Sequence, residues 1–434
     1  MKRIFLLLLI YTGTINSQYW VEQVSGVTTQ LYTVSGSAGS NAVWTAGESG
    51  VILRTTNGGT NWLMANTGIP PAALIYNIWS VDGSTAIAAG MNGTTSNIWR
   101  TSNGGTNWQV VLSQANGFFN CIAMKSSNPL HGLVQGDPVG GRWSIWKTSN
   151  GGVNWDSAGC YLPQNGTEAG WNNSIYIGSQ DIGFGNDSLI WFGTNNSRIY
   201  FSSNFGITWT AQSTAPEANN YALHFNAYFI PGDGLSGGAT LMRTSNMGVN
   251  WTTQTTVGTG NFCGLVMFPA PVDFYGYCWY TRLGSSIIYR GMNGSNWAAE
   301  YTAPSGTYNH FANLRQSTVC YGVRSNGGIT RCNYWISSVN HVSSEVPESY
   351  SLNQNYPNPF NPVTNFGFRI AGFELVRLTV FDAIGREVEV LVNQQLQLGT
   401  YAVSWDASAY PSGVYFYKLE SGNFTETKKM VLIK

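Results

Sequence analysis

The chain has 434 residues with 21 basic and 21 acidic side chains, so it is formally neutral, and only 10% of its residues are charged. That balance leaves no basic surplus to attract nucleic acid or acidic lipid. The length gives room for two or more domains, and 51 glycines, 17 tryptophans and many short apolar runs bounded by Gly, Asn and Ser read as an all-β protein rather than a helical one.

In chain order, the first segment is "MKRIFLLLLIYTGTINSQYW". Lys2 and Arg3 precede an apolar stretch from Ile4 to Ile10, and small and polar residues run on to Ser17. This is the pattern of a secretory signal peptide over 1–17, with cleavage near Gln18. The apolar stretch is too short to span a bilayer. No cysteine follows it, so a lipid anchor is not expected, and no later segment is apolar for long enough to cross a membrane.

A repeat follows. "TTNGGTNW" (Thr55–Trp62), "TSNGGTNW" (Thr101–Trp108) and "TSNGGVNW" (Thr148–Trp155) share one pattern, also met by "SSNFGITW" (Ser202–Trp209) and "TSNMGVNW" (Thr244–Trp251). A sixth copy, ending at Trp297, is one residue short. Successive tryptophans lie 46, 47, 54, 42 and 46 residues apart. A period in the forties built from β runs reads as a propeller blade of four strands. Each copy has the makings of a hairpin clasp between third and fourth strands. The amide side chain of Asn57, Asn103, Asn150, Asn204 or Asn246 closes a turn by bonding backbone two residues on. Gly59, Gly105, Gly152, Gly206 or Gly248 supplies a left-handed position. Trp62, Trp108, Trp155, Trp209 or Trp251 offers a large face for burial.

After Trp297, "YNHFANL", "TVCYGV" and "GITRCNYW" supply three strands without a fourth. "QYWVEQVSG" near the N-terminus, with Trp20 in the clasp role, can supply it and close the ring without an open edge. The expectation is seven blades over 18–338, with six as the alternative. The pattern resembles the Asp-box, or bacterial neuraminidase repeat, of sialidases, the sortilin propeller and photosystem II assembly factor-like propellers, with Asn in place of the usual Asp. The resemblance covers roughly three quarters of the chain. It implies the fold and little about activity, because such boxes recur in proteins of unrelated function.

Six cysteines in an exported chain make up to three disulfides. Cys320 and Cys332 stand symmetrically about Asn326, and Cys263 and Cys278 flank a turn. Cys121 and Cys160 remain by elimination. Buried thiols are the alternative reading.

A polar linker over 339–350 leads to a second domain at 351–434, where alternating runs and turns predict a small Ig-like β-sandwich. Tyr356, Pro357, Asn358, Pro359, Phe360, Asn361 and Pro362 open it. Phe381, Asp382, Gly385 and Arg386 follow, then Ser412, Gly413 and Tyr415, and finally Lys428, Lys429 and the terminal Lys434. These motifs, in this order, resemble the type A C-terminal sorting domain of the type IX secretion system. The resemblance implies transport across the outer membrane to the cell surface or the medium, with the secretion machinery as a partner.

In a propeller the clasps lie on one face and ligands usually sit on the other, so the clasps are read as architecture. The opposite, loop face is expected to carry Glu48, Asp137, Arg142, Trp143, Asn195, Asp233, Arg282 and Arg324. "GDPVGGRW" (Gly136–Trp143) is its most individual stretch, since an Asp, an Arg and a Trp together can hydrogen-bond and stack on a sugar. The neighbouring loops add Glu168, Trp171, Glu217 and Tyr221. Sialidase chemistry is not expected: Arg54, Arg100 and Arg243 stand beside the clasps, and no Phe-Arg-Ile-Pro motif occurs. A glycoside hydrolase needs two facing carboxylates, for which Asp137 with Asp233, or Glu48 with Asp137, are the candidates. The four histidines form no metal cluster with Cys, and Asp181 with Asp187 is a weak calcium pattern. The resulting expectation is a surface or secreted module for binding, adhesion or scaffolding with a glycan or protein ligand, no cofactor, no metal and no catalytic residue assigned. A polysaccharide hydrolase or lyase is the alternative.

Overall fold

The computed structural model describes residues 20–36, 41–178, 187–226, 232–267, 277–292, 294–315, 319–332, 340–343, 347–372, 374–396, 398–407 and 410–434. The expected leader at 1–17 and Asp181 lie outside them.

Among the described residues before 333, the strands form seven small antiparallel sheets. Their first strands are Leu31–Gly36, Leu74–Ser80, Phe119–Met124, Gly170–Ile177, Ala222–Asn226, Phe262–Met267 and Tyr308–Asn313. Each first strand lies against that of the next sheet, and the seventh lies against the first, giving a closed, propeller-like ring. Burial falls from the inside out. In the second strands Val43–Gly47 and Ile190–Thr194 every residue is buried, whereas the fourth strand Leu63–Met64 is exposed. The core therefore sits between neighbouring sheets. Trp44 and Trp108, for example, meet edge to face with ring centroids 5.8 Å apart.

Closure occurs as the sequence suggests. Trp20–Gln23 adds to the seventh sheet, antiparallel to Ile329–Cys332, with Trp20 opposite Cys332 and Gln23 opposite Ile329. Arg324, buried, is ion-paired to Glu22 of this strand, which also accepts hydrogen bonds from Thr330 and Tyr301. The third sheet departs from the pattern: it has three strands, and single bridges from Lys147 to Asp156 and from Arg142 to Pro163 stand where its fourth would be.

No disulfide joins the six cysteines. Cys320 and Cys332 do stand directly opposite each other, but as thiols. Cys278 pairs with Met267, leaving Cys263 four residues further along its strand, out of reach of a bridge. Cys121 lies on a first strand, hydrogen-bonded to the Trp171 carbonyl, while Cys160 packs with Trp143 and Leu162 in the core between the third and fourth sheets.

The C-terminal region is a β-sandwich. One sheet runs Asn340–Ser343, Gly399–Asp406, Val363–Ile370, Ser351–Leu352, and the other Glu387–Leu396, Glu374–Phe381, Gly413–Ser421, Phe424–Leu432. Part of the expected linker is therefore sheet, because Asn340–Ser343 pairs with Gly399–Asp406. Three prolines keep 356–362 out of a continuous ladder, and single bridges from Tyr356 to Asn365 and from Phe360 to Leu432, with side-chain contacts, anchor this run. Asn358 Oδ1 accepts from Val431 N–H at 2.9 Å, and Phe360 is buried against Trp405. Asp382 closes the turn before Gly385 by accepting from Ile384 and Arg386 N–H. Lys428 pairs with Glu426.

Candidate functional site

The clasps are built alike. In the first, Thr55 Oγ1 accepts from Gly59 N–H at 2.8 Å and donates to Asn57 Oδ1 at 2.9 Å, while Asn57 Oδ1 accepts from Asn61 N–H at 3.0 Å. The amides of Asn103, Asn150, Asn204 and Asn246 repeat the last of these bonds. The glycines repeat the first: the N–H of Gly105 donates to Thr101 Oγ1 at 3.1 Å, Gly152 to Thr148 Oγ1 at 3.0 Å, Gly206 to Ser202 Oγ at 2.8 Å and Gly248 to Thr244 Oγ1 at 2.9 Å. The Asn therefore reaches four residues on rather than the expected two, because the glycine N–H two residues on already donates to the hydroxyl of the Ser or Thr that precedes the Asn by two. All five clasp glycines are left-handed as expected, with Gly152 at φ 80°, Gly206 at 73° and Gly248 at 87°. Sequence reasoning missed that the residue before each of them is left-handed too, including Phe205 (φ 53°) and Met247 (φ 60°).

Two clasp tryptophans bond the preceding sheet: Trp108 Nε1 donates to Ala65 O at 2.7 Å and Trp62 Nε1 to Gln23 Oε1 at 3.0 Å. Trp155, Trp209 and Trp251 instead pack, half-buried, against the apolar clusters between sheets. With hydroxyl, amide and ring committed to the fold, the clasps are joints between sheets.

At the other end of the ring, where the first strands begin, half-buried aromatic rings form an arc. Tyr32 stacks on Tyr76 with centroids 5.1 Å apart, Tyr76 meets Phe118 at 5.2 Å, and Trp171 meets Tyr221 at 4.3 Å. The five rings come from five consecutive sheets. Asp137, at the end of the third sheet's second strand, stands between the two groups. Its Oδ1 accepts from Asn120 Nδ2 at 3.0 Å and from Gly170 N–H of the fourth sheet at 2.7 Å. Burial pushes its carboxyl above the usual range, partly offset by the Gly170 N–H. At the other end, Glu48 Oε1 accepts from Tyr32 Oη at 2.6 Å and Gln30 Nε2 at 3.0 Å.

Asn173 fixes the base of the arc. It sits at φ 63° in an irregularity of Gly170–Ile177 and reaches from the fourth sheet to the first two. Its Nδ2 donates to Tyr32 O at 3.3 Å and Tyr76 O at 3.2 Å, and its Oδ1 accepts from Thr33 Oγ1 at 3.0 Å and Asn77 Nδ2 at 2.7 Å. One amide thus ties the first strands of three sheets together across the ring.

The other expected site residues divide. Arg142 is half-buried on the same face. Asn195 is structural, exchanging hydrogen bonds with the Ala169 backbone at 2.9 and 3.1 Å. Trp143 is fully buried against Phe192 and Tyr200, so it presents no ring to a ligand. Asp233 lies at the clasp face, at the start of a second strand, bonded to Arg243 at 2.9 Å. That removes the pair Asp137 with Asp233. Arg282 is buried, donating to Val257 O at 3.1 Å and Thr256 Oγ1 at 2.8 Å with its guanidinium 4.1 Å over Phe262. Arg324 belongs to the ring closure. Glu168, buried, is held by Arg198 and Tyr200, and Glu217 by Thr240. Trp171 and Tyr221 do reach the arc, while Tyr32, Tyr76 and Phe118 escaped sequence reasoning because aromatic residues at strand starts look like core. Among the described residues no group of three or more His, Cys, Asp or Glu is placed to hold a metal ion.

Comparison with known proteins bears on both halves. Residues 354–434 match the family model of the secretion system C-terminal sorting domain. A search of curated proteins finds no match. YCF48 from Cyanidioschyzon merolae is similar in structure at 16% identity, over 72% of this chain and 98% of that one, with a TM-score of 0.52. YCF48 bound to D1 peptide is similar at 13% identity, over 72% and 96%, with a TM-score of 0.54. An ancestral GH74 enzyme is similar at 14% identity and a TM-score of 0.55, over 94% of this chain and 63% of that enzyme. At these identities the likeness is one of fold, YCF48-like and propeller-like, and it does not single out an Asp-box family. The chain is thus an all-β protein with a propeller-like ring and a C-terminal sorting domain of the type IX secretion system. That domain delivers it to the cell surface or the extracellular space and engages the secretion machinery.

Proposed function

We propose that residues 18–338 form a seven-bladed propeller, carried by a leader at 1–17 and a sorting domain at 351–434, that binds an extracellular glycan or protein at the mouth opposite the clasps. The observation that carries this reading is the arc of five half-buried rings, interrupted by Asp137 and bounded by Glu48. Rings left half in water are a standing cost that a ligand removes. The fold accommodates such use: one YCF48 structure is of the protein bound to a D1 peptide. The test is binding of the secreted chain to extracellular material from its own cells, with Tyr76→Ala and Trp171→Ala expected to weaken it and a clasp-face change such as Thr60→Ala expected to leave it intact. Equal binding by all three variants counts against the mouth.

Hydrolysis of a polysaccharide is the second reading, favoured by the raised Asp137 carboxyl, which suits a general acid. It needs Glu48 as the second carboxylate. Release of reducing ends by the intact chain, lost in Asp137→Asn with binding retained, would establish it.

A further inference from the structure

We propose that the ligand at the mouth is a neutral, hydroxyl-rich polysaccharide chain lying along the arc from Glu48 to Tyr221. The inference rests on the mouth being the binding face, and three observations narrow the chemistry. The rings come one from each of five consecutive sheets, in a group of three and a group of two with Asp137 between them, which fits an extended chain better than a single small molecule. Sugar rings offer C–H faces to aromatic rings and hydroxyls at their edges.

Charge is the second observation. Arg198 is paired with Glu168, Arg282 is committed to backbone carbonyls and Arg324 is paired with Glu22. That leaves Arg142 on this face against the carboxylates Glu48 and Asp137. A uronate or sulfated chain would meet like charge at both ends of the Tyr32–Tyr76–Phe118 group.

The third is the hydrogen-bonding character of those carboxylates. Among the described residues each is held through one oxygen, Glu48 through Oε1 and Asp137 through Oδ1. The other oxygen of each remains to accept from a ligand. On the strand Gly170–Ile177, Trp171 Nε1 and Asn172 Oδ1 are covered and lack a protein partner. A ligand that shifts the Trp171 ring would supply the acceptor and the donor they need. Hydroxyl groups meet all of these demands, since each both donates and accepts.

The experiment is affinity electrophoresis of the secreted full chain in gels containing galactomannan, arabinoxylan or mixed-linkage β-glucan, beside polygalacturonate and alginate, with a parallel lysine-containing peptide array. At least one neutral polysaccharide should retard the protein and the two acidic polymers should not. Retardation should survive salt of about 0.5 M, where exposed charges are screened. Tyr76→Ala and Tyr221→Ala should each weaken it about tenfold, with thermal melts confirming the fold. Tyr76→Phe, which keeps the ring, should retain it. Preference for an acidic polymer, or peptide binding alone, lost in these same variants, overturns the neutral-glycan inference and leaves the binding face standing. Glycan binding that ignores every variant overturns both. Failure to bind any polysaccharide overturns the inference.

Discussion

Gly105 and Gly140 have similar backbones and different surroundings, and the difference shows what a clasp is. Both are left-handed, at φ 85° and 65°. A Cβ on Gly105 would come within 2.4 Å of Ala65 O in the preceding sheet, whereas one on Gly140, at the loop face, meets nothing within 4 Å. The other clasps keep the same close approach: a Cβ on Gly152, Gly206 or Gly248 would run into Ile87, Leu133 or Gln212 of the sheet before it. Gly140→Ala should therefore cost only the conformational term, about 1 kcal/mol. Gly105→Ala should add an overpacking cost, for a total of about 3 kcal/mol. Urea denaturation of the two variants tests this, and equal losses would mean that the clasp does not set the contact between sheets. The same contrast separates the arc from the clasps: clasp hydroxyls and amides have their bonds inside the protein, while the arc leaves rings half-covered and carboxylate oxygens uncommitted.

At the scale of elements, the ring depends on contacts between first strands and on the strand that closes it. Glu22→Ala should strand the Arg324 charge, whose side chain is 3% exposed, and cost about 3 kcal/mol. Glu387→Ala, which breaks a pair with both partners more than two-fifths exposed in the sandwich, should cost less than about 1 kcal/mol. Denaturant melts of the two variants make the comparison. Two histidines also link first strands. His310 Nδ1 accepts from Val34 N–H at 3.2 Å, and His224 bonds the Met267 backbone. Burial pushes both down to about 4. An unfolded histidine titrates near 6.5, so between those values the unfolded chain binds protons that the ring refuses. Their contribution is whole above about pH 6.5 and is lost as pH falls toward 4. The melting temperature should drop across that window, and His310→Gln should flatten the slope. A flat profile in the unaltered protein would contradict the burial.

For the whole molecule, the sorting domain and the ring divide the labour. The 354–434 match assigns export to the sandwich, in which the Tyr356–Pro362 run is anchored against Asn365 and Leu432. A chain ending at residue 338 should keep the ring's thermal transition yet stay inside the cell envelope. Fractionation with protease accessibility, compared with the full chain, reads this out. Surface display of the shortened chain would place the export signal elsewhere.

The repeated clasp was legible because it is local: a hydroxyl, an amide and a left-handed glycine within five residues close a turn wherever they occur, and their period reports the sheet. The sorting motifs were legible for the same reason, whereas the closing strand, which pairs Trp20 with Cys332, was legible because the last three strands of the ring lack a fourth. The ligand-facing surface was not. Trp143 sits one residue from Arg142, and alternation along the strand alone sends it into the core. Asp233 went to the opposite face because strand direction, not loop composition, decides which end of a sheet a residue occupies. Trp171 and Tyr221 are 50 residues apart in sequence and 4.3 Å apart as rings, and Asn173 finds its partners 96 and 140 residues earlier, in two other sheets. Short-range turn chemistry is written in neighbouring residues, whereas a site at the mouth of a ring exists only once the first strands of separate sheets have been brought side by side.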